Sequence, residues 1–256
     1  MRFSPRGWRY GKRFPKAGGS AIERLLTCVF PAWNEEDNIG PLLDEAVAAL
    51  PAFANDFEIV VVDDGSTDAT SEVVRRFAER DSRVRLVAHP TNLGYGHAVR
   101  SGLTHSRGDV VAFSDGDRQF RVADLALLFD RLPEADIVVG HRVKRADPWH
   151  RLVIARVYHV VLRMTFALRM HDVDCGFKLY RRAVIDTVVP KLESGGAFVS
   201  AELLIRAQTA GCRVVEVPVP HHPRIAGRPK GASPRVILRT LAEIRRLRRS
   251  LRAPPG

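Results

Sequence analysis

Cysteine is scarce in this sequence, with only Cys28, Cys175 and Cys212 among 256 residues. Because the three are far apart and odd in number, they show neither a disulfide framework nor the ligand spacing of a zinc site, and they favour a reducing compartment. No run of about 18 uncharged apolar residues is present, so we predict no membrane-spanning helix. The basic N-terminus lacks the apolar segment of a signal peptide. We therefore expect a cytoplasmic protein.

Acidic residues are scarce at both ends of the chain. Residues 1–24 carry seven Arg or Lys against Glu23 alone, and residues 224–252 carry ten against Glu243 alone. The formal net charge is +11, which indicates a polyanionic partner such as a nucleic acid, an anionic membrane or a phosphorylated substrate. Residues 1–23 are rich in Gly, Arg and Pro and lack periodicity, so we expect a disordered basic arm there.

Between the ends, short apolar runs alternate with helical patterns. The first half predicts strands over 25–30, 57–66, 83–89 and 108–117, and helices over 38–50, 66–80 and 96–106. The second half predicts strands over 135–140 and 213–219, and helices over 149–170, 200–210 and 234–252. Because such alternation is typical of βαβ units, we predict an α/β fold with a mostly parallel sheet flanked by helices.

Three polar clusters follow predicted strands: PAWNEE (31–36), DDGSTD (63–68) and SDGD (114–117). In parallel sheets ligands bind beyond the carboxyl ends of the strands, so we expect the clusters to face one crevice. In the third cluster Asp115 and Asp117 stand one residue apart, and Gln119 follows. Carboxylate and amide oxygens suit Mg²⁺. Two neighbouring aspartates, taken alone, more often cap a helix or line a turn. The convergence of three polar clusters nevertheless favours a metal site.

Two amphipathic helices are predicted in the second half. Over 149–170, Arg156, His159 and Arg163 share one face, and most of the remaining residues are apolar. Over 234–252, apolar residues recur at helical spacing among arginines. Each helix has two interpretations. It packs on the domain with its basic face in water, or it lies on an anionic membrane surface.

Several segments, taken in their order along the chain, resemble the family 2 glycosyltransferases of GT-A fold, and among them the dolichyl- and polyprenyl-phosphate sugar transferases. The resemblance covers roughly residues 25–230 and rests on FPAWNEEDNI, IVVVDDGSTDAT, NLGYGHAVRSGL, VVAFSDGDRQF, DVDCGFKLYRR and VPVPHHPRIAGRPKGAS. We accordingly divide the chain into a basic arm (1–23), a Rossmann-like GT-A domain (24–232), and a basic amphipathic helix and tail (233–256).

The resemblance also implies a site for a nucleotide-diphosphate sugar. The residues that it places around the nucleotide are Pro31, Trp33, Glu35, Asp63, Asp64, Asp115, Gly116, Arg142 and Arg224. Of these, Asp63 and Asp64 are implied at the base, and Arg142 and Arg224 at the diphosphate. Arg228 and Lys230 are further candidates for the diphosphate. The implied ligands of a metal, Mg²⁺ or Mn²⁺, are Asp115, Asp117 and Gln119.

The implied reaction moves a sugar from a UDP- or GDP-linked donor to an acceptor, with inversion at the anomeric carbon. We expect the acceptor to be a polyprenyl phosphate, and the enzyme to be peripheral on the inner face of the cell membrane. A phosphate monoester has a second pKa of about 6 and needs no general base. If the acceptor is instead a hydroxyl of a small molecule or glycan, Glu202 or Asp174 is the candidate base. Otherwise Glu202 is a helix N-terminal acid and Asp174 holds a loop.

Two other classes fit part of the sequence. A basic nucleic-acid-binding protein fits the charge, but no zinc-finger, RNP or interleaved aromatic pattern supports it, so we expect no nucleic-acid partner. A sugar-1-phosphate nucleotidyltransferase shares an α/β nucleotide fold. However, PAWNEE replaces the glycine-rich, Arg-containing segment expected after the first strand of such an enzyme.

Overall fold

The computed structural model of the chain describes residues 25–143, 149–224 and 234–252. The predicted basic arm, Arg228 and Lys230 lie outside these ranges. Within them the strands are β1 (Leu26–Ala32), β2 (Phe57–Asp63), β3 (Val84–Ala88), β4 (Val110–Ser114), β5 (Ile137–Arg142), β6 (Phe177–Arg181) and β7 (Val214–Val219). They form one sheet in the order β3–β2–β1–β4–β6–β5–β7.

Helices cover both faces of this sheet. They are α1 (Glu36–Ala49), α2 (Thr70–Arg80), α3 (Tyr95–His105), α4 (Leu125–Phe129), α5 (Trp149–Phe166), α6 (Arg182–Val188), α7 (Val199–Thr209) and α8 (Pro234–Ser250). Alternate residues of each strand point to opposite faces. Cys28 and Phe30 pack with α1, α2 and α4, whereas Val29 and Val60 pack with α3, α5, α6, α7 and α8. The predicted α/β fold with a mostly parallel sheet is confirmed.

The register of the first strands brings the three polar clusters to one edge. β1 pairs in parallel with β2, with Ala32 opposite Asp63, and it pairs in parallel with β4 on its other side. All seven residues of β1 and all seven of β2 are buried, as is typical of central parallel strands. The segments that follow β2, β1 and β4 therefore leave the sheet side by side.

Strand β6 was not predicted from the sequence. It lies between β4 and β5 and runs antiparallel to both. Four of its five residues are buried, including Lys178, so the strand has neither an exposed polar face nor a purely apolar run. Because β6 runs opposite to β4, its first residue, Phe177, pairs with Ser114 at the carboxyl end of β4. The segment DVDCG (172–176) therefore reaches the same edge as the acidic clusters.

The basic C-terminal helix α8 packs on the α5 and α7 side of the sheet. Ile244 and Leu247 are buried in the core there, and Arg246 forms an ion pair with Glu193 at 2.7 Å. Leu238 and Leu241 remain exposed. None of the described helices combines the length and the hydropathy that are needed to cross a bilayer.

Candidate active site

A cavity of about 320 Å³ opens at this edge of the sheet. Its volume suits a small-molecule ligand. The lining contains eight residues that the sequence analysis assigned to the site: Pro31, Trp33, Glu35, Asp64, Asp115, Gly116, Asp117 and Arg224. Four further lining residues had no role assigned from the sequence: Ala32, Asn92, Tyr95 and Ala98.

The loops after β1 and β2 hold each other in place. Asn34 has a left-handed backbone (φ 52°), and its side-chain oxygen accepts a hydrogen bond from the Thr67 amide at 2.8 Å. The Glu35 amide donates to the Thr70 hydroxyl at 2.9 Å. Asp63 accepts hydrogen bonds from the Ser66 amide and the Ser71 hydroxyl, and it does not line the cavity. Asp63 therefore shapes the turn, and its neighbour Asp64 faces the cavity.

Acidic side chains from two loops meet in the cavity around one arginine. Arg224 donates to Asp117 at 2.5 Å and to Glu35 at 3.3 Å. Asp115 accepts a hydrogen bond from the Tyr95 hydroxyl at 2.9 Å. Burial, followed by the charge of Asp117, raises the pKa of Asp115 to about 7. The site therefore concentrates negative charge, which a bound cation would offset. Arg224 already supplies part of the compensating positive charge.

The antiparallel strand β6 places a second set of charges behind Asp115. Lys178 is 1% exposed and donates to the Cys175 carbonyl, while burial lowers its pKa against the opposing effect of nearby acids. Gly176 lies so close to Asp115 that a Cβ atom there would overlap the carboxylate. Lys178 and Gly176 both lie in DVDCGFKLYRR, a segment to which the sequence analysis gave no structure.

Four candidate residues from the sequence analysis have other surroundings in the structure. Arg142 forms a two-bond ion pair with Asp172 at 2.6 and 2.8 Å and does not line the cavity. The side-chain amide of Gln119 donates to the His222 carbonyl at 3.2 Å, which ties the Asp117 turn to the segment that carries Arg224. Asp174 lies beside this cluster, where burial and Asp172 raise its pKa.

The fourth residue, Glu202, lies in a different cavity beneath α8. Its carboxylate is 1% exposed and accepts hydrogen bonds from the amides of Glu193 and Ser194 and from Arg206. With both oxygens engaged, Glu202 is placed to hold the loop before α7. This geometry favours the helix N-terminal role over that of a general base.

The carboxylates in the cavity fit a divalent cation shared with a substrate. Among the residues that the structure describes, no three His, Cys, Asp or Glu side chains are grouped as a closed metal site. Asp115 and Asp117 are two carboxylates on one cavity wall. Mg²⁺ is commonly held by one or two carboxylates together with substrate phosphates and water, and Mn²⁺ accepts the same oxygen ligands.

Comparison with known proteins gives consistent matches. A family model described as Glycosyl transferase family 2 matches residues 27–189. A dolichyl-phosphate beta-glucosyltransferase (ALG5C) of Trichomonas vaginalis is 33% identical over 217 residues, which cover 78% of this chain and 64% of that protein. An undecaprenyl-phosphate 4-deoxy-4-formamido-L-arabinose transferase of Edwardsiella ictaluri is 32% identical, with coverage of 81% and 63%. The chain thus spans less than two thirds of the length of these curated relatives.

The solved structures agree on the fold. Glucosyl-3-phosphoglycerate synthase from Mycobacterium tuberculosis, in complex with Mn²⁺, UDP-glucose and phosphoglyceric acid, superposes with a TM-score of 0.66 at 22% identity. The alignment covers 86% of this chain and 80% of the synthase. A likeness at this identity supports the architecture alone. Since the family model spans more than half of the chain, from β1 to α6, the chain belongs to glycosyl transferase family 2.

Proposed function

We propose that this chain is a metal-dependent, inverting glycosyltransferase that moves a sugar from a nucleotide-diphosphate donor to a polyprenyl phosphate. The observation that carries the proposal is the cavity wall formed by Asp115, Asp117 and Arg224 at the carboxyl end of β4. The curated relatives are named for transfer to dolichyl and undecaprenyl phosphates, which supports the lipid-phosphate acceptor.

The residues in the cavity serve a departing diphosphate. Asp115 and Asp117 would hold Mg²⁺ or Mn²⁺, which neutralises charge on the phosphates when it is bound. Arg224 already spans two carboxylates, and the same guanidinium can donate two hydrogen bonds to a phosphate. Tyr95 keeps Asp115 oriented through its hydroxyl. Groups fixed in this way stabilise the negative charge that grows on the leaving group.

The acceptor in this proposal needs no general base. A phosphate monoester is anionic near neutral pH, so it can attack the anomeric carbon directly, and a single displacement inverts that carbon. The buried Glu202 carboxylate, which is already saturated with hydrogen bonds, is consistent with this chemistry. A hydroxyl acceptor would instead require a free base beside the sugar.

We place the reaction at the cytoplasmic face of the membrane, with α5 and α8 as the contact surface. The exposed apolar residues on these two helices are Val157, Val160, Met164, Leu238 and Leu241. Arginines flank them on both helices, and both helices lie on the same side of the sheet. An apolar stripe bordered by arginines suits the boundary between acyl chains and anionic headgroups.

Replacing Arg245, Arg248 and Arg249 together by Gln should weaken binding to anionic liposomes by about 100-fold. Each arginine near an anionic surface contributes about 1 kcal/mol, and these three are exposed on α8. Liposome co-sedimentation at fixed ionic strength measures the change. The matched control replaces Arg75, Arg76 and Arg80 on α2, which lies on the other face of the sheet. Equal losses in the two triple variants would refute the assignment of the surface to α8.

The activity itself is tested by transfer from a panel of labelled UDP- and GDP-sugars, with Mg²⁺ or Mn²⁺, into a polyprenyl phosphate. We expect one donor to move label into the organic phase, and chelation of the metal to stop the transfer. The anomeric configuration of the product reports inversion. Donor binding with label appearing only on a soluble hydroxyl acceptor would exclude the lipid phosphate, and absence of donor binding would exclude the glycosyltransferase assignment.

A further inference from the structure

The carboxylate of Asp64 is almost fully hydrogen-bonded by the protein itself. Its Oδ1 accepts from the His89 ring at 2.7 Å and from the Leu93 amide at 2.9 Å. Its Oδ2 accepts from the Gly94 amide at 2.8 Å. A carboxylate offers about four lone-pair positions. One acceptor position therefore remains on Asp64, and it belongs to Oδ2.

Asp64 is also a lining residue of the cavity. Asp64 is 3% exposed yet belongs to the cavity lining, so a ligand reaches only a small part of its carboxylate. Strands β2 and β4 flank β1, so Asp64 lies two strand spacings, roughly 10 Å, from Asp115. That separation matches the reach of a nucleoside whose diphosphate lies at Asp115 and Asp117.

We propose that His89 is a specificity-determining residue, and that it makes the cavity select a uracil-type base over guanine. Uracil presents a single ring N–H between two carbonyl groups, and one free acceptor satisfies it. Guanine presents two adjacent donors, N1–H and the 2-amino group, which together need both oxygens of a carboxylate. With Oδ1 occupied by His89 and Leu93, one guanine donor is left unpaired. This inference rests on the proposed function, because it takes the donor to be a nucleoside diphosphate.

Ser101 fixes how His89 presents its proton. The ring Nε2 lies 2.9 Å from the Ser101 hydroxyl, while Nδ1 faces the carboxylate. A carboxylate only accepts, so Nδ1 carries the hydrogen, and in the neutral ring Nε2 then accepts from Ser101. His89 is held further by its backbone amide, which donates to the Asp63 carbonyl at 2.9 Å. The contacts of His89 with the protein thus hold the ring on Oδ1 without any help from a ligand.

The test is the ratio of the dissociation constant of GDP to that of UDP, measured by calorimetry on the full chain with Mn²⁺. An unpaired donor in a buried site weakens binding substantially, so we expect UDP to bind at least about tenfold tighter than GDP. The His89→Ala variant frees a position on Oδ1, and its ratio should fall towards one. The His89→Asn variant returns an N–H donor near the position of Nδ1 and should restore the preference. Misfolding alone would weaken the binding of both nucleotides equally and leave the ratio of their dissociation constants unchanged.

His105→Ala is the matched control, because His105 is exposed on the same helix as Ser101 and should leave the ratio unchanged. GDP binding as tightly as UDP to the unaltered chain would overturn this inference and leave the glycosyltransferase proposal intact. An unchanged ratio in a folded His89→Ala variant would overturn the role of His89. Binding of neither nucleotide would overturn both proposals.

Discussion

Replacing Asp117 by Ala should lower sugar transfer by about 1,000-fold or more, because a lost charge interaction of roughly 4 kcal/mol in the transition state has that effect. Asp117 is buried to 6% exposure at the tip of β4 and holds Arg224 at 2.5 Å. Its loss removes one of the two carboxylates proposed for the metal and releases the arginine proposed for the diphosphate. The measurement is the initial rate of transfer at saturating donor and metal.

The fold should survive this substitution. Arg224 keeps its ion pair with Glu35 at 3.3 Å. A neutral alanine at position 117 also removes the negative charge that repels the buried Asp115 carboxylate. We expect an unchanged circular dichroism spectrum and a thermal midpoint close to that of the parent chain. Asp186→Ala, at an exposed aspartate of α6, is the control and should retain full activity. Activity retained in a folded Asp117→Ala variant would contradict the proposed metal site.

The second large effect is expected on stability, at Glu202. Replacement by Ala leaves the amides of Glu193 and Ser194 without their acceptor and removes one of the two ion-pair partners of Arg206. Breaking a buried ion pair on one side costs about 3 kcal/mol. For a chain of this size that corresponds to a fall of roughly 10 °C in the unfolding midpoint. Differential scanning calorimetry measures it directly.

The same variant separates a structural role of Glu202 from a catalytic one. Below its lowered midpoint, folded Glu202→Ala should still transfer sugar to a lipid phosphate at a rate within about tenfold of the parent, because no proton has to be removed from that acceptor. Glu72→Ala is the control, since Glu72 forms only an exposed ion pair with Arg76 and should change stability little. A normal midpoint combined with lost transfer would assign Glu202 to the chemistry.

The sequence by itself determined the parallel part of the sheet and the positions of its acidic clusters. Apolar runs such as IVVV in β2 have no polar face, and β2 and β4 lead directly into acids and a turn. Because parallel strands end at the same edge, this local pattern was sufficient to bring Glu35, Asp64 and Asp117 to one cavity. The amphipathic patterns of α5 and α8, and the many arginines in these helices, were equally visible in the sequence of each segment.

Only the tertiary structure decided which of these side chains face the cavity and what supports them. Strand β6 was not predicted because its buried lysine, Lys178, depends on partners outside the strand. These are the Cys175 carbonyl and nearby acids, and nothing within FKLYR indicates them. Tyr95 reaches Asp115 across 20 residues, and Arg142 meets Asp172 across 30. The engaged carboxylate of Glu202 and the hydrogen bond of His89 to Asp64 likewise depend on loops that meet after folding. Spacing along a chain indicates where a strand ends, whereas a side chain's partners follow from the order in which strands and helices pack.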